Sequence, residues 1–282
     1  MRRNDIVLLD GAVGTSLWEK TDDRGPVWRY NIEKPEIVKE LASEYMDAGA
    51  EIILANTFGA NRLAVQRSEY SVQQIVSTGV RLAREAIGNK AKLALAVGPL
   101  PVLMEPWGDL TEEEAFELFD EQISAGMEGK PDVITLQTFM DADMMAVAVK
   151  AAAKHNLPIF SMLTFTEIGK TIMGHSVEYY VESLKDLPVS AIGINCSLGP
   201  EKAIPIIASF RQYTDLPLIF KPNAGKPILS DGETKVEYDA ETFVEDCIPA
   251  LEYDVKYIGG CCGSNASYVR ALRKRIFGED VQ

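Results

Sequence analysis

At 282 residues the chain exceeds an average domain but fits the roughly 250-residue span of an α/β barrel without remainder. A content of 46% hydrophobic and 25% charged residues supports a large buried core and argues against disorder. Twenty-eight basic against 42 acidic side chains leave a net charge of −14, which repels phosphate backbones and anionic headgroups and so argues against nucleic acid or a membrane surface as partner.

The first residues, Met-Arg-Arg-Asn-Asp, run directly into an apolar segment that carries Asp10, with no signal-peptide core or cleavage site. No apolar run is long enough to cross a bilayer, and a cytoplasmic location is expected. From there, short β-branched runs alternate with segments of helical period, the pattern of repeated βα units. The predicted strands are Ile6 to Asp10, Glu51 to Asn56, Lys92 to Val97, Asp132 to Gln137, Ile159 to Thr164, Ser190 to Cys196, Leu216 to Lys221 and Val255 to Gly260. Most read as continuous apolar runs, as strands buried on both faces do. Helices are predicted between them, among them Lys34 to Ala48, Thr111 to Glu128, Asp141 to His155, Pro200 to Tyr213 and Ala240 to Leu251. Thr111 followed by three glutamates has the spacing of a capping box, and Pro200 after Gly199 is a further helix start.

No linker or low-complexity tract divides residues 1–282, which are read as one domain. Eight alternating pairs suit an open doubly wound sheet as well as a barrel, but no Gly-x-Gly-x-x-Gly fingerprint follows the first strand. Polar or reactive residues sit instead at or just past nearly every strand end: Asp10, Asn56, Gln137, Thr164, Cys196, Lys221 with Asn223, and Cys261. A closed (β/α)8 TIM barrel brings all those ends to one face.

The strongest chemical signal is Gly193-Ile-Asn-Cys-Ser197 with Gly259-Gly-Cys-Cys-Gly263, at the ends of the sixth and eighth strands. Three thiolates converging there make a three-ligand Zn2+ site with an open fourth position, the form of a catalytic zinc centre. An electron-rich sulfur set weakens the metal as a Lewis acid toward water, yet still deprotonates an incoming thiol. Alkyl transfer to sulfur therefore fits better than hydrolysis, and two histidines in the whole chain leave a histidine-rich hydrolytic site unsupported. Cys247 falls on a helical segment and reads as core. His155 reads as a helix terminus at the surface, His175 as a loop residue near the mouth, and Met104-Glu-Pro-Trp-Gly108 as a loop that either covers the mouth or packs as an ordinary connection.

Several segments together carry a resemblance: Leu8-Leu-Asp-Gly-Ala-Val-Gly-Thr15, Ala55-Asn-Thr-Phe-Gly59, Ala191-Ile-Gly-Ile-Asn-Cys-Ser-Leu-Gly-Pro-Glu201, Pro222-Asn-Ala-Gly225 and Gly259-Gly-Cys-Cys-Gly-Ser264. In that order, over nearly the whole chain, they resemble the homocysteine S-methyltransferase family, with Thr171-Ile-Met-Gly174 most like the homocysteine-binding module of cobalamin-dependent methionine synthase. The resemblance implies a zinc enzyme of methionine biosynthesis and one-carbon metabolism that methylates homocysteine, with Cys196, Cys261 and Cys262 as ligands. It implies substrate contacts from Asp10, Gly11, Asn56, Gln137 and Asn195, Asp10 helping to hold the substrate ammonium. Gln137 stands where the family usually has a glutamate for that ammonium. A neutral amide forgoes the ionic part of the contact, about 1 to 3 kcal/mol in a partly dry site. Either Asp10 carries the amino group alone, or the acceptor is a different thiol, one without a cationic ammonium.

One barrel leaves no residues for a donor-binding module, and neither histidine lies in an Asp-x-His-x-x-Gly corrinoid motif. The expected donor is methylcobalamin or another methylcorrinoid on a separate protein, with S-methylmethionine or a betaine as the alternative. A non-enzymatic corrinoid-protein partner with structural zinc is the reading from another class; it requires a fourth protein ligand.

Overall fold

The computed structural model describes residues 5–225, 227–230, 233–236 and 238–278. Residues 1–4, part of the segment judged to carry no leader, lie outside these. All eight predicted strands form: β1 (Val7–Leu8), β2 (Ile52–Leu54), β3 (Lys92–Val97), β4 (Val133–Phe139), β5 (Ile159–Leu163), β6 (Ala191–Asn195), β7 (Leu218–Lys221) and, after a hairpin, β10 (Val255–Ile258). They are parallel and pair in the order β1-β10-β7-β6-β5-β4-β3-β2. A parallel bridge between Leu9 and Ile52, with the Glu51 N–H donating to the Leu8 carbonyl at 2.8 Å, joins β1 to β2. That bridge closes the sheet into the expected (β/α)8 barrel.

Among the described residues, α-helices connect and surround the strands: α1 (Val13–Glu19), α2 (Tyr30–Glu33), α3 (Pro35–Asp47), α4 (Arg62–Val65), α5 (Val72–Ile87), α6 (Glu112–Gly126), α7 (Ala142–Ala153), α8 (Val177–Leu184), α9 (Pro200–Phe210), α10 (Ala240–Cys247) and α11 (Ala266–Phe277). The capping box at α6 is formed, Thr111 accepting from the Glu114 N–H and the Glu114 side chain accepting from the Thr111 N–H. α10 stops four residues before the predicted Leu251. Pro249, without an N–H to give, follows at once, and Ile248–Tyr253 tightens to a 3-10 turn. The antiparallel hairpin β8 (Pro227–Ser230) and β9 (Glu233–Val236) is not among the predicted strands.

Alternation along the strands sorts the side chains into two cores. In β3, Leu93, Leu95 and Val97 belong to the large core between barrel and helices, whereas Ala94 and Ala96 belong to the barrel interior. The same period of two puts Ile219 inside with Leu218 and Phe220 outside, and Ala191 inside with Ile192 and Ile194 outside. Continuing the inward period of two reaches Lys221 on β7, two positions past Ile219, and Asn195 on β6, four past Ala191; on β4 the series Val133, Thr135, Gln137 follows the same period. Polar side chains thus occupy the top layer of the barrel, and the small alanines of β3 leave room next to them.

Candidate metal centre and acceptor cavity

The thiols are held by main-chain bonds between three strand ends. Cys196 and Ser197 follow β6 in left-handed backbone, with φ of 62° and 52°, a conformation that costs energy for side-chain-bearing residues unless the surroundings hold it. Here the Cys196 N–H donates to the Lys221 carbonyl at 3.1 Å, and the Ser197 hydroxyl to the Phe165 carbonyl at 2.7 Å. Beyond β7, the Pro222 carbonyl accepts from the Cys261 N–H at 2.8 Å and the Ala224 N–H donates to the Cys262 carbonyl at 2.9 Å. The Pro222-Asn-Ala-Gly225 segment therefore splints the two cysteine loops together. Gly263, at φ 83°, supplies the turn that a side chain would strain.

In this frame the sulfurs of Cys196, Cys261 and Cys262 lie within 4.8 Å of one another, with Cys196 and Cys262 3.7 Å apart. Zinc–thiolate bonds of about 2.3 Å at tetrahedral angles put sulfurs about 3.8 Å apart, so the spacing fits the metal. No fourth cysteine, histidine or carboxylate joins the cluster among the described residues. Cys247 is fully buried in α10, and burial pushes its thiol pKa up, as suits an inert core residue. Taken as thiols, the three conflict. Hydrogen bonds from Cys261 and Cys262 draw the Cys196 thiol well down, and Cys196 in turn pushes the other two up. A dication between them removes the conflict by allowing all three to ionise.

Asn195 braces this corner. Its amide oxygen accepts from the Thr138 N–H at 2.7 Å, and its nitrogen donates to the Thr138 hydroxyl at 2.7 Å and lies 3.7 Å from the Cys261 sulfur. Thr138 needs the support, because a β-branched residue at φ 62° is a strained one. Asn223, on the β7 extension, also helps hold the Cys196 thiol pKa down.

Next to the thiols opens a cavity of about 410 Å³. Val13, Trp18, Val27, Trp28, Leu54 and Phe58 give it apolar walls, while Gln137, Thr138, Asn56 and Lys221 supply polar groups. Of the five residues expected at the substrate, Gly11, Asn56 and Gln137 line this cavity. Gly11 must lack a side chain, since a Cβ there would meet the Ser264 carbonyl at 2.7 Å. Asn56 spends its amide nitrogen on the Val27 carbonyl and on Asn31, and so secures the segment that carries Trp28. Asn195 and Asp10 lie behind the wall. Asp10 has no exposed surface; one oxygen accepts from the Leu54 N–H at 2.7 Å and the other from the Lys221 ammonium at 2.7 Å.

Sequence reasoning noted Lys221 and Asn223 only as polar strand ends and missed Thr138 and Asn31. The inward period of two along β7 was the available signal for Lys221. His175 does not line the cavity: its Nδ1 accepts from the Ala142 N–H at 3.0 Å at the start of α7. Asp141 and Asp143 near it are likewise engaged, Asp141 capping α7 and Asp143 accepting from the Tyr179 hydroxyl. His155 is half-buried beside Asp120 rather than free at the surface, and burial lowers its pKa. Trp107 is 72% exposed and stands away from the cavity.

A closed barrel with three cysteines clustered at its carboxyl-terminal mouth, beside a largely apolar cavity, defines a class of candidate thiolate-metal enzymes. The homocysteine S-methyltransferase profile matches residues 7–276, and the chain belongs to that family. Among solved structures, the homocysteine methyltransferase MmuM from Escherichia coli superposes in its oxidised form with a TM-score of 0.80 at 20% identity, covering 96% of both chains. Its metallated form gives 0.79 at 21% identity with the same coverage. The carboxyl transferase domain of Rhizobium etli pyruvate carboxylase shares the barrel at a TM-score of 0.54 and 15% identity, over 96% of this chain and 47% of that one. At these identities the structural likenesses speak for the fold.

Proposed function

We propose that this methyltransferase-family barrel is a cytoplasmic, zinc-dependent enzyme that methylates a small-molecule thiol, with the methyl group delivered by a methylcorrinoid on a separate protein. The observation that carries the reading is the clustering of three thiols, two of them 3.7 Å apart, beside a cavity, with no fourth ligating group joining them among the described residues. Zinc held by Cys196, Cys261 and Cys262 would supply an open coordination position that lowers the pKa of an entering thiol and keeps its sulfur nucleophilic at neutral pH. The chain's own residues do the rest. Asn195 and Asn223 fix the ligand sulfurs, and such supporting hydrogen bonds tune a metal's affinity and reactivity. The walls from Trp18, Trp28 and Phe58 keep water from the reacting sulfur. In the transfer the acceptor loses its S–H proton to solvent, sulfur forms the bond to the methyl carbon, and the donor retains the electron pair of the bond that breaks.

The donor assignment draws on the rim. Phe58, Val102, Leu103, Trp107, Met140, Ile168 and Ile172 are exposed, and all lie on loops that follow β2 to β5. With Ile168 at 82% exposure, this apolar rim suits a macromolecular partner at the mouth. No described helix is long and apolar enough to cross a membrane.

The test is zinc analysis followed by incubation of the loaded protein with free methylcobalamin and a thiol, reading thioether by mass spectrometry and donor loss by absorbance. Zinc-dependent thioether formation is the expected result. A stoichiometric zinc that no added thiol perturbs, with no proton release, would overturn the reading in favour of structural zinc. Transfer from S-methylmethionine or a betaine but not from the corrinoid would reassign the donor.

A further inference from the structure

Apart from the cysteines, Lys221 is the one ionisable side chain on the wall of the acceptor cavity among the described residues, and no described carboxylate joins it there. Lys221 is 2% exposed and its ammonium lies 2.7 Å from Asp10, which is wholly buried and has its other oxygen taken by the Leu54 N–H. The nearest anion is therefore already neutralised, and the cation stands between it and the cavity. Gln137, the other polar group at the wall, is an uncharged amide. Among the described residues its side chain makes no hydrogen bond to the protein, which leaves it free for a ligand.

An ammonium entering such a space loses water and finds no carboxylate among the described residues to replace it, which is costly in a largely apolar site. A carboxylate meets the opposite situation. The Lys221 ammonium has three N–H donors and gives one to Asp10, so donors remain at the cavity floor. We infer that the acceptor is a mercapto acid, a thiol bearing a carboxylate and no ammonium, and that Lys221 with Gln137 sets this specificity. The inference rests on the thiol-methylation reading and narrows its substrate class.

The test compares two probes that differ only by the amino group, L-homocysteine and 4-mercaptobutanoate, titrated into the zinc-loaded protein by calorimetry with proton release followed in parallel. The wild type is expected to bind 4-mercaptobutanoate at least about tenfold more tightly, a difference of about 1.4 kcal/mol. Gln137→Glu, which places a carboxylate on a half-exposed stretch of the wall, should shift the ratio about tenfold toward homocysteine. Tighter or equal binding of homocysteine by the wild type overturns the inference and leaves thiol activation standing. Failure of both thiols to release a proton overturns the underlying reading instead.

Discussion

Two regions meet at the barrel mouth and are built on opposite principles. The thiol corner, from β6, the β7 extension and the β10 loop, is made of short polar segments tied by main-chain hydrogen bonds, in backbone that side chains adopt only under constraint. The acceptor wall, from the loops after β1 and β2 and from the inner faces of β3 and β4, is apolar and wide, with Lys221 at its surface and the Asp10 carboxylate that pairs with it sealed behind. The corner resembles a clamp whose geometry suits any thiolate-binding dication, whereas the wall decides what reaches it. Chemistry and specificity are thereby separable, and changes in one region should leave the other measurable.

The most severe break is at the clamp. Cys261→Ala removes one of three ligands and should lower zinc affinity by more than about a hundredfold, beyond the effect of losing a supporting hydrogen bond. Metal content after dialysis against a weak chelator checks it, and retained stoichiometric zinc would contradict the ligand assignment. Next is Lys221→Met, which strips Asp10 of its partner in a fully buried position and should cost about 3 to 5 kcal/mol in a denaturant unfolding experiment. Adding Asp10→Asn should recover much of that loss. If the single variant is as stable as wild type, buried Asp10 does not depend on Lys221 as its counter-ion.

Smaller effects sharpen the boundary. Asn195→Ala releases Thr138 from its bonded geometry and removes a donor from Cys261, and zinc affinity should fall about 10- to 100-fold. An unchanged affinity would limit Asn195 to backbone support. Thr111→Ala, remote from both regions, removes the α6 cap and should cost about 1 kcal/mol in thermal or chemical unfolding, with zinc content and thiol binding as in wild type.

The three candidate metal ligands were readable before any fold was known because cysteine is rare in this chain and the glycine-rich turns around it are local features. Gln137 was placed at the mouth by the logic of strand ends, and Gly11 at the substrate by the family resemblance. Lys221 was placed at the mouth too, but its role and that of Thr138 were not readable, because their importance comes from partners far along the chain. Asp10 and Lys221 are 211 residues apart, and Thr138 and Asn195 are 57 apart.

By itself, then, the sequence determined the eight βα repeats, the helix caps and the three candidate ligands, since hydrophobic period, capping chemistry and rare reactive side chains act over a few residues. Only the tertiary structure decided that Leu9 meets Ile52 to close the sheet, that Ala94 and Ala96 face inward and leave space, and that Lys221 neutralises Asp10. The strands of a parallel barrel are apolar on both faces, so their composition does not tell inside from outside. That distinction exists only once closure and register have set which alternate residues share the interior.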